Sequence, residues 1–244
     1  QNYGYDPILK RMLFTGRREH CYIYDPDLGD WTTRIAKPKG MVYGDCFYTL
    51  TLTPTPQGLV CWTPEGKVFR FKADGSEWVE FPLEGAKMPG SVVDNSTIVY
   101  DAKRDRLLAV RKGYGDKNPF DGTVAQVDLR SGDVTILSPE GKEKASAIPY
   151  LCQLRYAPAY DLVLGGCTLE PDAEGIRRTP AFDCAGGRWV SLKIGGEDPS
   201  GQKGRNVSLG MMFDAKRNLF WAVDTNSNVF VLRLEVPAAD VKPL

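Results

Sequence analysis

The apolar positions of this chain fall in short runs, alternating or continuous, and each run breaks at a polar turn, as strands of a meander do. One break recurs with fixed internal spacing. Tyr22-Ile-Tyr-Asp-Pro-Asp-Leu-Gly-Asp-Trp31 ends a run at Asp25, turns through Gly29 and opens the next run at Trp31. Phe69-Arg-Phe-Lys-Ala-Asp-Gly-Ser-Glu-Trp78 and Ala181-Phe-Asp-Cys-Ala-Gly-Gly-Arg-Trp189 repeat it, and Ala125-Gln-Val-Asp-Leu-Arg-Ser-Gly-Asp-Val134 is a weaker copy. A second hairpin precedes each unit: Tyr5 to Leu13, Tyr100 to Leu108, Tyr156 to Leu164, Phe213 to Trp221 and, more faintly, Thr51 to Leu59. Each is an apolar strand, a turn rich in Asp, Pro, Lys or Asn, and a second apolar strand.

The anchors Leu13, Leu59, Leu108, Leu164 and Trp221 recur about every 52 residues, and no stretch keeps a helical period. The pattern predicts an all-β fold, a β-propeller of four-stranded antiparallel blades with five blades visible. They fall near 2–36, 44–83, 93–138, 149–194 and 206–244, one domain over 1–244. Asp161-Leu-Val-Leu-Gly-Gly166, followed by Gly187-Arg-Trp189, resembles a kelch repeat, whose second strand ends in a double glycine and whose fourth starts with Trp. Leu13-Phe-Thr-Gly16 with Tyr24, Asp25 and Trp31 is similar but keeps one glycine; the other blades lose the pair, and the fifth lacks the Trp. The resemblance implies a kelch-like propeller, loosely of galactose-oxidase type, and no activity of its own. The copper site of that type needs two histidines, and His20 stands alone. Pro237 makes the last segment a poor strand. Closure as five blades and membership of a longer ring both stay open, with ends near repeat boundaries favouring closure.

Charge changes the picture little. Lys+Arg 31 against Asp+Glu 31 leaves no field to draw the chain onto nucleic acid. No apolar run approaches the roughly 20 residues of a membrane span. A first residue Gln1 instead of Met leads to the expectation that a signal peptide, tag or other domains stood upstream, with an extracytoplasmic or secreted setting favoured. Cys21, Cys46, Cys61, Cys152, Cys167 and Cys184 are scattered singly, without C-x-x-C spacing. With His20 the one histidine, that argues against a zinc site or covalent haem, so no metal or cofactor is expected and the cysteines read as small buried hydrophobes. Cys152 and Cys167 fall on strands expected to be neighbours and could pair. Asn95 and Asn206 head glycosylation sequons that matter only in a secretory setting.

Strand order fixes the faces. The 1–2 and 3–4 turns are short, while the long segments 36–45, 82–94, 111–123, 138–149, 166–180 and 194–206 share the other face, where function concentrates on a rigid scaffold. On that face Arg17 and His20 belong to blade one, and Arg111, Tyr114 and Phe120 to the third-blade loop. The loop 166–180 carries Glu170, Asp172, Glu174, Arg177 and Arg178, and Arg205 follows. Aromatics and arginines are what interfaces favour. Asp45 and Asp94, at matching entries to strand 1, are the candidate paired carboxylates for acid–base work. The leading expectation is a non-enzymatic propeller that binds a protein or glycan through the long-loop face. The alternative is a carbohydrate-active or other hydrolytic propeller with its carboxylates at the channel mouth, and a third reading is a purely structural module.

Overall fold

The computed structural model describes residues 3–15, 19–38, 41, 51–63, 66–86, 97–110, 121–145, 148, 154–165, 169–196, 211–224, 226–235 and 241–244. The fold is all-β and of propeller type, built from five small meander sheets. The first comprises β1 (Tyr3–Asp6), β2 (Arg11–Thr15), β3 (His20–Asp25) and β4 (Asp30–Ala36), and the second β5 (Thr51–Thr55), β6 (Gly58–Trp62), β7 (Val68–Phe71) and β8 (Trp78–Phe81). After the short β9 (Glu84–Gly85), β10 (Thr97–Asp101), β11 (Arg106–Val110), β12 (Val124–Asp128) and β13 (Asp133–Leu137) form the third. A single helical turn, α1 (Lys142–Ala145), precedes the fourth sheet of β14 (Leu154–Ala157), β15 (Leu162–Gly165), β16 (Arg178–Asp183) and β17 (Arg188–Lys193). The fifth has β18 (Met212–Asp214), β19 (Leu219–Val223) and β20 (Val229–Arg233), and β21 (Val241–Pro243) closes the series. Residues 1–108 and 125–136 form one compact unit, with the first three sheets apart from some strand ends; residues 109–124 and 137–244 form a second, with the last two.

The expectation of four strands per blade needs correcting at three sheets. β9 adds to β13 in parallel, pairing Asp133 with Glu84 and Val134 with Gly85. The segment expected to complete the fifth sheet instead becomes β21 and pairs antiparallel with β17, Val190 opposite Pro243. Three strands of the fifth sheet are described. An outer edge is the place where a strand containing proline costs least, because its missing N–H faces no partner. Leu244 then donates its backbone N–H to Trp189 O at 3.3 Å.

The recurring turns have a common chemistry. Lys10, Asp105, Asp161 and Asn218 hold matching places in the aligned hairpins, and all have positive φ, 55°, 52°, 57° and 54°. Asp and Asn tolerate that conformation best among residues with a side chain. Three of the four six-residue units are Asx turns, the 72–78 unit having Lys72 in the aspartate's place. Asp25 Oδ1 accepts from the backbone N–H of Asp27 and Leu28, Asp128 Oδ1 from Arg130 and Ser131, and Asp183 Oδ1 from Ala185 and Gly186. The two turn families are stitched together within a blade. Leu129 N–H donates to Asp105 O at 3.1 Å and Cys184 N–H to Asp161 O at 3.0 Å.

The Tyr100 hydroxyl donates to Asp105 Oδ1 at 2.8 Å, as Tyr156 does to Asp161 at 3.0 Å. Burial, reinforced by that hydrogen bond, pushes the Tyr100 phenol up to about 12. The folded chain therefore holds this proton more tightly than the unfolded one, whose tyrosine ionises near 10. The stability so gained is complete below about pH 10 and is lost as pH rises towards about 12. In a near-ultraviolet absorbance titration one tyrosine should ionise late, and Tyr100→Phe should remove that late step.

Sheets pack face to face within each unit. Leu13, Cys21 and Ile35 of the first sheet meet Leu52, Leu59, Cys61, Phe69, Phe71 and Trp78 of the second, all buried. The approach is so close at Gly4 that a Cβ there would lie 2.8 Å from Leu52 Cβ. Asp6, itself buried, accepts from Ile8 and Leu9 N–H in its own turn and from Leu59 N–H of the second sheet at 3.0 Å. In the second unit Leu164, Ala181, Val190 and Leu192 of the fourth sheet pack with Phe220 of the fifth. Arg155 there donates to Met211 O at 3.0 Å.

Candidate functional site

The loop between β15 and β16 is held by one carboxylate. Asp172 Oδ1 accepts from the N–H of Glu174 at 3.0 Å and of Ile176 at 2.9 Å, and Oδ2 accepts from Arg178 Nε at 3.2 Å. The Ile176 N–H, then the Arg178 guanidinium, holds the Asp172 carboxyl below its ordinary pKa. Backbone bonds from Leu169 N–H to Arg178 O, 2.8 Å, and from Asp172 N–H to Ile176 O, 2.9 Å, complete a small hairpin.

Beneath this loop lies a pocket of about 330 Å³, at the small end for ligand sites. Lys144 of α1, Arg178 of β16 and Lys242 of β21 bring three cations to its wall; Glu170 and Glu174 bring carboxylates, and Ile176, Pro243 and Leu244 an apolar patch. Ser191 also lines it, but its hydroxyl donates to Lys242 O at 3.5 Å, not to a base. Such a wall offers donors, acceptors and an apolar side at once. That suits a polyhydroxylated or peptide-like ligand better than a bare anion, which Glu170 and Glu174 would repel.

Of the residues picked out from sequence, Arg178 stands in this pocket with Glu170, Asp172 and Glu174 around it. His20 belongs to the other unit, at the start of β3, where its Nδ1 lies 3.2 Å from Arg34 Nη2. Arg17, Arg111, Tyr114, Phe120, Arg205, Asp45 and Asp94 lie outside the described residues, as do Cys152, Cys167, Asn95 and Asn206. Cys21, Cys61 and Cys184 are buried.

Sequence reasoning passed over three features. Lys144 and Lys242 reach the pocket through α1 and β21, neither of which the repeat pattern contains. Lys37, just past β4, is buried; burial holds its amine below the ordinary lysine pKa, opposed by the Cys21 and Cys61 thiols. Burial also pushes the Cys21 thiol up to about 11. A lysine between an apolar strand and a proline was the available signal. The third feature is an aromatic sheet face in the first unit. Tyr3 and Phe14 stack at 4.9 Å between centroids, and Trp31 lies 5.9 Å from Phe14 and 5.3 Å from Tyr24. Trp31, Trp78 and Trp189 hold matching places in the repeat, yet Trp31 is 37% exposed, whereas Trp78 is 3% and Trp189 1% exposed.

No protein-family model matches the chain, and no curated protein sequence matches it. Its class is defined by fold alone, a β-propeller-like set of five antiparallel sheets. Among the described residues, no helix is long and apolar enough to cross a membrane.

Proposed function

We propose that the protein is a non-enzymatic binding or scaffold propeller of kelch-like type, recognising a protein or glycan through the face that carries its long loops. The observation behind this is the pocket under the Asp172-locked loop, where a strand 2–3 connection on that face is held rigid over a wall of mixed charge. Rigid loops on a sheet scaffold lose little entropy on binding, which is how a small pocket gains affinity. The kelch-like assignment draws support from the tryptophans near the start of the fourth strand, Trp31 in β4, Trp78 in β8 and Trp189 in β17.

The test is a screen of immobilised oligosaccharides and peptides, followed by calorimetric titration of the strongest binder. Glu174→Ala with Lys242→Ala should weaken it about tenfold, about 1.4 kcal/mol. Asp172→Ala, which unlocks the loop, should weaken it at least as much. The double variant should leave stability within about 0.5 kcal/mol, because both side chains are exposed. Unchanged affinity in both would move recognition away from this pocket.

A further inference from the structure

The pocket under the Asp172-locked loop is built entirely from the second unit, and its charges are sorted by element. Three cations, Lys144, Arg178 and Lys242, and three carboxylates, Glu170, Asp172 and Glu174, line it, so the charges cancel. Arg178 and Asp172 are paired with each other at 3.2 Å. Two lysines and two glutamates remain. Both glutamates stand on the loop between β15 and β16, whereas Lys144 belongs to α1 and Lys242 to β21. Those two elements abut: a Cβ on Gly141, just ahead of α1, would lie 3.2 Å from Leu244 Cβ, just past β21. The lysines therefore come from one packed pair of elements and the glutamates from the loop. Among the described residues, none of the four has an ion-pair partner.

This division of charge selects among ligands. A neutral polyol would take water from four ionised groups and return only hydroxyl contacts. An ion of one sign would be repelled by two of the four. No described lining residue is aromatic, so a sugar ring finds no flat apolar surface to lie on, and the apolar lining is aliphatic: Leu169, Ala173, Ile176, Pro243 and Leu244. A peptide with one basic and one acidic side chain on either side of an aliphatic one satisfies all of it. Its cation meets Glu170 and Glu174, its carboxylate meets Lys144 and Lys242, and its middle residue meets Ile176, Pro243 and Leu244.

We infer that the pocket takes a short peptide segment of a partner protein in which a basic and an acidic side chain flank an aliphatic one. The inference rests on the reading of the protein as a binding propeller with this pocket as its site, and it narrows the ligand to one class. Exposed charge pairs are individually weak, so they act through preference between sequences more than through strength.

The test is calorimetric titration with capped pentapeptides that have no terminal charge. Gly-Lys-Leu-Glu-Gly and Gly-Glu-Leu-Lys-Gly are the mixed probes; in three controls both flanking residues are Lys, Glu or Gln. At least one mixed probe should bind about tenfold tighter than every control, which two exposed charge pairs supply. Glu170→Lys with Glu174→Lys should transfer the preference to the acidic control, and Lys144→Glu with Lys242→Glu to the basic one. All four side chains are exposed, so the melting temperature should hold. Should a reversal lower it, Glu174→Gln and Lys242→Gln singly should each weaken the mixed probe and leave the Gln control unchanged. A preference that ignores the reversals overturns the inference, as does equal binding of the Gln control. So does failure of both mixed probes to bind at about 1 mM. An oligosaccharide that binds instead, and is lost in Glu174→Ala with Lys242→Ala, overturns the peptide class but keeps the pocket as the binding site. Absence of any ligand sensitive to that double variant removes both.

Discussion

Trp189→Ala is expected to lose about 3–5 kcal/mol of folding stability, the range for removing a large buried aromatic. The indole is 1% exposed, it packs edge-on to Phe182 at 5.4 Å, and its Nε1–H donates to Gly122 O at 2.8 Å. Its backbone is also engaged, N–H to Glu140 O at 2.9 Å and C=O from Leu244 N–H. The truncation leaves both a cavity and an unpaired buried carbonyl. Trp31→Ala, at the equivalent place in the first sheet, should lose less than about 1.5 kcal/mol, because that ring is open to solvent on one side. Urea unfolding of the two variants side by side decides the matter. Equal losses would mean that the first sheet's outer face is covered as fully as the fourth's.

Asp101→Ala is expected to cost a similar 3–5 kcal/mol, the range for breaking a buried ion pair from one side. Its carboxylate is fully buried and makes three bonds: from Lys103 N–H at 3.1 Å, Arg104 Nη1 at 3.0 Å and Arg106 Nε at 2.9 Å. Arg106 is itself mostly buried, so removing Asp101 takes the carboxylate from beside a guanidinium that solvent reaches poorly, leaving it the Gln126 side-chain oxygen. A control is the exposed pair of Lys67 and Glu80, at 2.9 Å. Glu80→Ala there should change stability by less than about 1 kcal/mol, as exposed pairs do. Chemical denaturation of both variants at neutral pH gives the comparison.

How much of this could be read beforehand varied with the range of the interactions. The six-residue unit was visible because its geometry is local: an aspartate caps the turn with its own carboxylate and a glycine such as Gly29, φ 68°, or Gly187, φ 63°, supplies the left-handed step. The aligned hairpins were visible for the same reason, and Lys10, Asp105, Asp161 and Asn218 do share one backbone conformation. What the pattern missed is non-local. β9 has two residues and β21 three, too short for an alternation to register, and each is defined by the edge it meets. Gly132 shows how specific such a meeting is: a Cβ there would lie 2.3 Å from Pro82 O, where the chain turns into β9. Arg178 was legible as a charged residue of a long loop, but Lys144 and Lys242 join it only through tertiary packing. Trp31, Trp78 and Trp189 looked alike in sequence. Burial, which depends on what lies opposite, separates them.

The docking of β21 on β17 sets an order of events during synthesis. β14 to β17 are complete once Lys193 has emerged, but the strand that seals their outer edge begins only at Val241. At 5–20 residues per second, the intervening stretch of about 50 residues takes roughly 2–10 s to make. For that interval the nascent fourth sheet presents the backbone N–H and C=O groups of Val190 to Leu192 to any passing strand. Neighbouring chains on one polysome, each at the same stage, are the nearest such strands. Slow elongation between codons 193 and 241 should therefore favour aggregation more than the same delay placed earlier in the message.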